Sequence, residues 1–383
     1  MKKKIILVFG VRSDAIKMAP LVKLFSQDST IETRVVVTGQ HISMLDEVLE
    51  VFDVVPDYNL LLMNRAKSGL DFLAKAISEL GEIFEKERPD LVLAHGDTST
   101  SVAASMAALY LGIKVGHVEA GLRSENKYNP YPEEINRRID DIISDYHFVP
   151  TRYNVANLDF KDYSEANIFV TGNTGIDALL YMADKEFETK NEVLSKVYQS
   201  GKKIITVTAH RRENWGEAIR KIIGSLKQIV KENPDVVIVY PVHLNPNVKT
   251  IVYEELSDTE NIYLTNPLKY DEFVNLMKRS YMILTDSGGI QEEAPALGKP
   301  VLVMRENTER WEALEAGTVK VIGSDHDVIV KEVGLLLNSE IQYEKMSKSK
   351  NPYGDGKSCI RILEYLKYSL GISNECPEEF DMN

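Results

Sequence analysis

The chain has 383 residues, 44% hydrophobic and 27% charged, a globular composition with enough length for two domains and a large core. A net charge of -13 at pH 7 excludes a general nucleic-acid binder, which needs a basic face, yet a few placed arginines would still hold one diphosphate. Two cysteines, Cys359 and Cys376, exclude a disulfide framework and a Cys-rich metal site.

The start, MKKKIILVFGVRSD, places three lysines before an apolar stretch, Ile5 to Phe9, that is too short for a secretory signal. No apolar run approaches a membrane span, so the expectation is a soluble cytoplasmic protein with no membrane partner. KIILVFG predicts a strand, AIKMAPLVKLF a helix, TRVVVT a strand and SMLDEVLEVF a helix. DLVLAHGD, TSVAASMAALYLG and KVGHVEAG continue the alternation. It restarts with KKIITVTAH, AIRKIIGSLKQIV and DVVIVYPVH, then NIYLTN, YDEFVNLMK, YMILTDSG, IQEEAPALG, KPVLVM and TVKVIG. Strands that are apolar throughout are buried on both faces, which implies parallel sheets covered by helices. The fold class is α/β, with two doubly wound Rossmann-like domains. The join falls in FVTGNTGID, giving domains at 1–172 and 173–355. No Gly/Ser-rich linker separates them, so a shared cleft is expected. CIRILEYLKYSLG, within about 356–370, predicts an amphipathic helix that completes the first domain, and 374–383, NECPEEFDMN, reads as a disordered acidic end.

Ligands of doubly wound sheets bind beyond the carboxyl ends of the strands. Arg12, Asp97, Glu119, His210 and His243 all fall there, and four of the seven histidines (His95, His117, His210 and His243) share that placement. A cluster of titratable groups at strand ends points to a site. After YMILT comes Asp286-Ser287-Gly288-Gly289, leading into a helix with Glu292 and Glu293. Two readings stay open for that turn: glycine amides on a phosphate at a helix N-terminus, or a tight turn capped by Ser287. A nucleoside diphosphate would suit both the glycines and the acids, with a carboxylate on the ribose hydroxyls. No P-loop and no G-x-G-x-x-G follows the first strand. The one D-x-D, Asp325-His326-Asp327, precedes VIVKEVGLLL and reads as a helix cap rather than a metal site. No zinc motif occurs, and neither a metal nor a cofactor is expected.

FGVRSDAIKMAPL, LAHGDTSTS, GHVEAGLRS, PYPEEINRR, VTGNTGIDALL, TAHRREN, YPVHLNPNV, LTDSGGIQEEAPALGKPVLVMRENTER and NPYGDGKSCIRI stand in this order. With them the chain resembles the non-hydrolysing UDP-N-acetylglucosamine 2-epimerases, from residue 4 to about 370. The resemblance implies a GT-B fold, a homodimer, a C-terminal UDP-binding domain and interconversion of UDP-GlcNAc with UDP-ManNAc for surface-polysaccharide synthesis. It makes Asp97, Glu119, Glu133 and His210 the catalytic group. It puts Arg12 and Lys17 in the cleft, Phe273 at the uracil pocket, and His243, Ser287, Gly288, Gly289, Glu293 and Arg310 on UDP. From the residues alone, Asp97 reads equally well as a helix cap and Glu133 as a first-turn acid after Pro132.

Departures from the family pattern are local. Val11, Ser13 and Asp14 replace Thr, Pro and Glu, and Trp311 replaces Pro. Gln40 and His41, at the expected border of a regulatory UDP-GlcNAc site, are followed by Ile42-Ser43 instead of Arg and an acid or amide. Three other functions share much of this pattern: a hydrolysing epimerase releasing ManNAc and UDP, a sugar-nucleotide-binding protein, and a GT-B glycosyltransferase. Lys17, PYPEEINRR and NPYGDG favour the non-hydrolysing branch.

Overall fold

A computed structural model describes residues 2–39, 42–158 and 167–381. Gln40 and His41 lie outside the described residues. The chain divides into two compact units, Met1–Ala178 with Tyr353–Asp381, and Leu179–Pro352. No described helix is long and apolar enough to cross a membrane.

The first unit is built on seven strands: β1 (Lys3–Phe9), β2 (Ile31–Val37), β3 (Tyr58–Asn59), β4 (Leu91–His95), β5 (Lys114–Val118), β6 (Tyr146–Val149) and β7 (Asn167–Val170). They run parallel in the order β3-β2-β1-β4-β5-β6-β7. Ile5 through Phe9 are all buried, because helices cover both faces and no residue of the run faces water. The order reverses between β1 and β4, which pair from Ile5–Leu91 to Val8–Ala94. Just beyond that reversal lie Gly10-Val11-Arg12 and Gly96-Asp97.

The second unit repeats the plan with β8 (Lys203–Thr208), β9 (Val236–Pro241), β10 (Ile262–Thr265), β11 (Met282–Thr285), β12 (Val301–Val303) and β13 (Val319–Val321). The order is β10-β9-β8-β11-β12-β13, again parallel. Here the reversal lies between β8 and β11, which lead into His210-Arg211 and into Asp286–Gly289. The Thr208 and Thr285 hydroxyls close the end of this pair at 2.6 Å.

The chain returns to the first unit at Tyr353. Tyr365, on helix Ser358–Ser369, stacks on Phe169 at 4.3 Å and meets Phe148 edge-on. The acidic stretch after it is not a free end. Phe380 is 6% exposed, within a cluster of Ala120, Val149, Leu158 and Val170. Its N–H donates to Val170 O at 2.8 Å, and the Val170 N–H donates to the Glu379 carboxylate at 3.1 Å. The tail therefore covers the open edge of β7. Phe380→Ala removes about 1.5–3 kcal/mol of burial, so the Val170 amide should exchange with solvent roughly 10–100-fold faster. Hydrogen exchange on the full chain reads this directly, and unchanged protection would mean the tail does not hold that edge.

Candidate active site

In the first unit the carboxylates are held by different means. Glu119 follows β5 with φ +68, a left-handed conformation costing of order 1–3 kcal/mol for a non-glycine residue. Its N–H is tied to Phe148 O at 3.0 Å, which fixes that conformation. The Lys17 ammonium pairs with Glu119 Oε1, and Asn173 Nδ2 donates to the same oxygen at 3.0 Å. His95 lies buried between two carboxylates, its Nε2 3.5 Å from Glu119 Oε2 and its Nδ1 3.7 Å from Asp14 Oδ1. Burial opposes charge on Glu119, but Lys17 and then His95 outweigh it and hold the carboxyl down at about 2. This pKa is depressed in the fold. The resulting stabilisation is present above the ordinary 4.5 and is lost as pH falls towards 2.

Asp97 follows Gly96 at the end of β4. Its carboxylate pairs with Arg137, and its carbonyl accepts from Asn136 Nδ2 at 2.9 Å. Both partners lie on helix Glu133–Ile143. Asp97 is not a helix cap: Thr98 Oγ1 accepts from Ser101 N and caps helix Ser99–Tyr110 instead. Burial pushes the Asp97 carboxyl above its ordinary value. Arg137 opposes the rise, while Glu119 and Asp14 add to it. The two carboxylates are thus driven in opposite directions, as in sites where one group gives and another takes a proton.

Glu133 is the first residue of its helix and half-buried. The neighbouring Glu134 is fully buried and structural, accepting from Ser124 N at 2.9 Å and from Arg138 Nη2 at 2.8 Å. Arg12 and Lys17 share helix Arg12–Gln27. Val11 stands at its N-cap with no side-chain capping bond, because it has no oxygen to offer.

The second unit gathers its groups around Asp286. This fully buried carboxylate accepts from the N–H groups of His210 at 2.7 Å and Arg211 at 2.8 Å, and from Asn214 Nδ2 at 3.0 Å. Its other oxygen is 3.4 Å from His210 Nδ1. One side chain therefore fixes both the loop after β8 and the turn after β11. His210 stacks on His243 with ring centroids 5.1 Å apart. Burial lowers the His210 pKa; Asp286 opposes this, and His243 and Arg211 reinforce it. A half-buried neutral imidazole is the form that results near neutral pH.

Ser287 makes no capping bond to helix Gly288–Glu293, so the tight-turn reading does not account for its hydroxyl. Gly288 has a steric reason: a Cβ there would lie 3.2 Å from the Arg310 guanidinium carbon. Arg310 is oriented by Glu292, which accepts from its Nε at 2.8 Å. Of the two adjacent acids, Glu292 is thus engaged with Arg310. A guanidinium over a glycine turn at a helix start is an arrangement suited to an anion. Phe273 sits on helix Tyr270–Arg279 and packs against a separate cluster that includes Leu268 and Leu276. Asp325 caps helix His326–Asn338 through the N–H groups of Asp327 and Val328. Among the described residues no group of His, Cys, Asp and Glu could hold a metal ion.

Sequence reasoning missed Arg137, Asn173, Asp286 and Arg305. Arg137 lies one helical turn after Glu133, a spacing that places both on one face. Asp286, directly after an apolar run, was readable as a buried charge needing partners. Arg305 links the loop after β8 to that after β12, donating to Glu213 at 2.5 Å and to Glu309 at 2.9 and 3.0 Å.

The model of the family "UDP-N-acetylglucosamine 2-epimerase" matches residues 23–367. A UDP-N-acetylglucosamine 2-epimerase of Campylobacter jejuni is 50% identical over 376 residues, covering 96% of this chain and 98% of its own. One from Escherichia coli K12 is 48% identical over 369 residues, covering 95% and 98%. The crystal structure of the Neisseria meningitidis UDP-GlcNAc 2-epimerase bound to UDP-GlcNAc is similar at TM-score 0.81, with 44% identity over 95% of this chain and 99% of that one.

Proposed function

Because the chain belongs to the UDP-N-acetylglucosamine 2-epimerase family, we propose that it interconverts UDP-GlcNAc and UDP-ManNAc without net hydrolysis. The observation that carries the mechanism is the opposed environment of two carboxyls on one unit: Glu119 held ionised, Asp97 raised. The proton on sugar carbon 2 is not acidic, since an amide nitrogen rather than a carbonyl adjoins it. Elimination avoids a free carbanion. A carboxylate takes the carbon-2 proton, the bond from carbon 1 to the diphosphate oxygen breaks, UDP leaves with the electron pair, and 2-acetamidoglucal remains. A carboxyl then returns a proton to the opposite face while the diphosphate oxygen re-bonds to carbon 1.

Asp97, Glu119 and Glu133 serve this proton traffic, with Arg12 and Lys17 beside them. Lys17 keeps Glu119 anionic, which suits it to the positive charge that develops at carbon 1. The second unit holds the leaving group. Arg310, the amides of Gly288 and Gly289, and His243 stabilise the diphosphate, His210 assists its departure, and Ser287, Glu293 and Phe273 take the nucleoside. The relative bound to UDP-GlcNAc supports this assignment of substrate. A homodimer belongs to the same reading, to which the exposed apolar side chains of Leu109, Tyr110 and Ile142 are available. So do a cytoplasmic location and a role in surface-polysaccharide supply.

Product analysis tests the proposal. Incubation with UDP-GlcNAc should give UDP-ManNAc with nearly all UDP still bonded to sugar. Free ManNAc and UDP in equal amounts would assign the hydrolysing reaction, and transfer only on adding a glycan acceptor would assign a glycosyltransferase.

A further inference from the structure

His117 has no part in the chemistry just described, yet it is fully buried beneath it. It is the penultimate residue of β5, and both its ring nitrogens meet oxygen atoms. Nδ1 lies 2.7 Å from Asp141 Oδ1, and Nε2 lies 2.7 Å from the carbonyl of Gly96. A carbonyl only accepts, so Nε2 carries a proton. Asp141 also only accepts: its second oxygen takes a 2.6 Å bond from Arg123 Nη1, and although burial opposes the charge, His117 and then Arg123 hold its pKa low. Nδ1 must then carry a proton too.

We infer that His117 is a positioning residue working as an imidazolium at neutral pH, which clamps the turn bearing Asp97 to the helix bearing Glu133. The clamp spans the right elements. Gly96, at φ +70, donates its N–H to Val118 O at 3.0 Å while its carbonyl accepts from His117, so the glycine before Asp97 is held on both sides. Asp141 lies on helix Glu133–Ile143, whose other end reaches Asp97 through Asn136 and Arg137. The helix is thus fixed to the β4 turn at two points.

Every charged group facing the ring fits this state. Asp141 and Asp140 come from the helix, and Arg123 is spent on Asp141. His147, on β6, is driven towards neutrality by burial, and its Nε2 donates to Asp141 O at 2.7 Å. Asp140 accepts from Ser101 Oγ at 2.7 Å, and burial lifts its carboxyl to about 7. For His117 itself burial opposes the charge, but Asp141 and then Asp140 outweigh it and raise the ring to about 9. This pKa is raised in the fold. The clamp is at full strength below the ordinary 6.5 and is lost as pH climbs through about 9.

The consequence for turnover rests on the epimerase reading, but the protonation state does not. Nitrogen-15 NMR of the full chain should show one histidine with both ring nitrogens protonated at pH 8, titrating near 9. Its signal should be absent in His117→Gln. In that variant kcat at pH 7.5 should fall by up to about 10²-fold with a smaller change in KM, since a displaced turn misplaces Asp97. The wild-type fall in kcat above pH 9 should vanish. All histidines neutral at pH 8 in the wild type, or an unchanged alkaline limb in the variant, would overturn the clamp. If the variant does not fold, the wild-type ring titration alone decides. A chain that turns over no UDP-sugar would sink the epimerase reading and leave that titration to decide the clamp.

Discussion

Asp97→Asn should lower turnover by roughly 10²–10⁴-fold while UDP binding stays nearly unchanged. Asparagine keeps the shape and can still accept from Arg137, but it cannot carry a proton. The buried guanidinium keeps a second partner in Glu134, at 3.3 Å, so the fold should survive. In the proposed function UDP is held by residues of the other unit, which this change does not touch. Single-turnover rates and calorimetric UDP titration on the same preparation separate the two effects. Near-normal turnover would remove Asp97 from the catalytic group.

The second large effect is structural. Asp286→Ala removes the acceptor for two backbone N–H groups and the Asn214 amide in a fully buried position. Orphaning such a set costs about 3–5 kcal/mol. Both tryptophans of the chain, Trp215 and Trp311, lie in the second unit, so their fluorescence follows that unit alone. Trp215 Nε1 donates to His210 O at 3.1 Å, which makes it a reporter of the same loop. The denaturant midpoint read by fluorescence should drop markedly, and UDP affinity should fall with it, because the glycine turn and the His210 loop lose their common anchor. A shift equivalent to less than about 1 kcal/mol would mean that water or a rearranged loop replaces the carboxylate.

Strands were readable because helices cover both sheet faces, turning β1 and β8 into largely apolar runs buried along most of their length. The strand ends were readable for the same reason, and with them the loops that carry Asp97, Glu119 and His210; the strand order that sets the reversal points was not. The Asp325 cap was readable because its partners lie two and three residues away. What stayed hidden depends on distant partners. Asp286 meets backbone groups 75 and 76 residues earlier, and nothing local marks such a bond. Adjacent Glu133 and Glu134 are told apart by partners of Glu134, Ser124, Arg137 and Arg138, which it meets only in the folded chain. Phe380 was masked by its acidic surroundings: composition suggested a solvated end, while a buried aromatic ring, one backbone bond and the Glu379 carboxylate dock it.

The central claim is proton removal and return at carbon 2, and solvent isotope tests it most directly. UDP-GlcNAc is incubated with the protein in heavy water and the sugar signals are followed by proton NMR. On the proposed mechanism one carboxylate takes the carbon-2 proton and a second carboxyl, carrying a proton drawn from solvent, delivers to the other face. UDP-ManNAc should therefore carry deuterium at carbon 2, with the label growing into the UDP-GlcNAc pool as the reaction reverses. UDP-ManNAc that forms with its original carbon-2 proton fully retained would contradict elimination through these carboxylates.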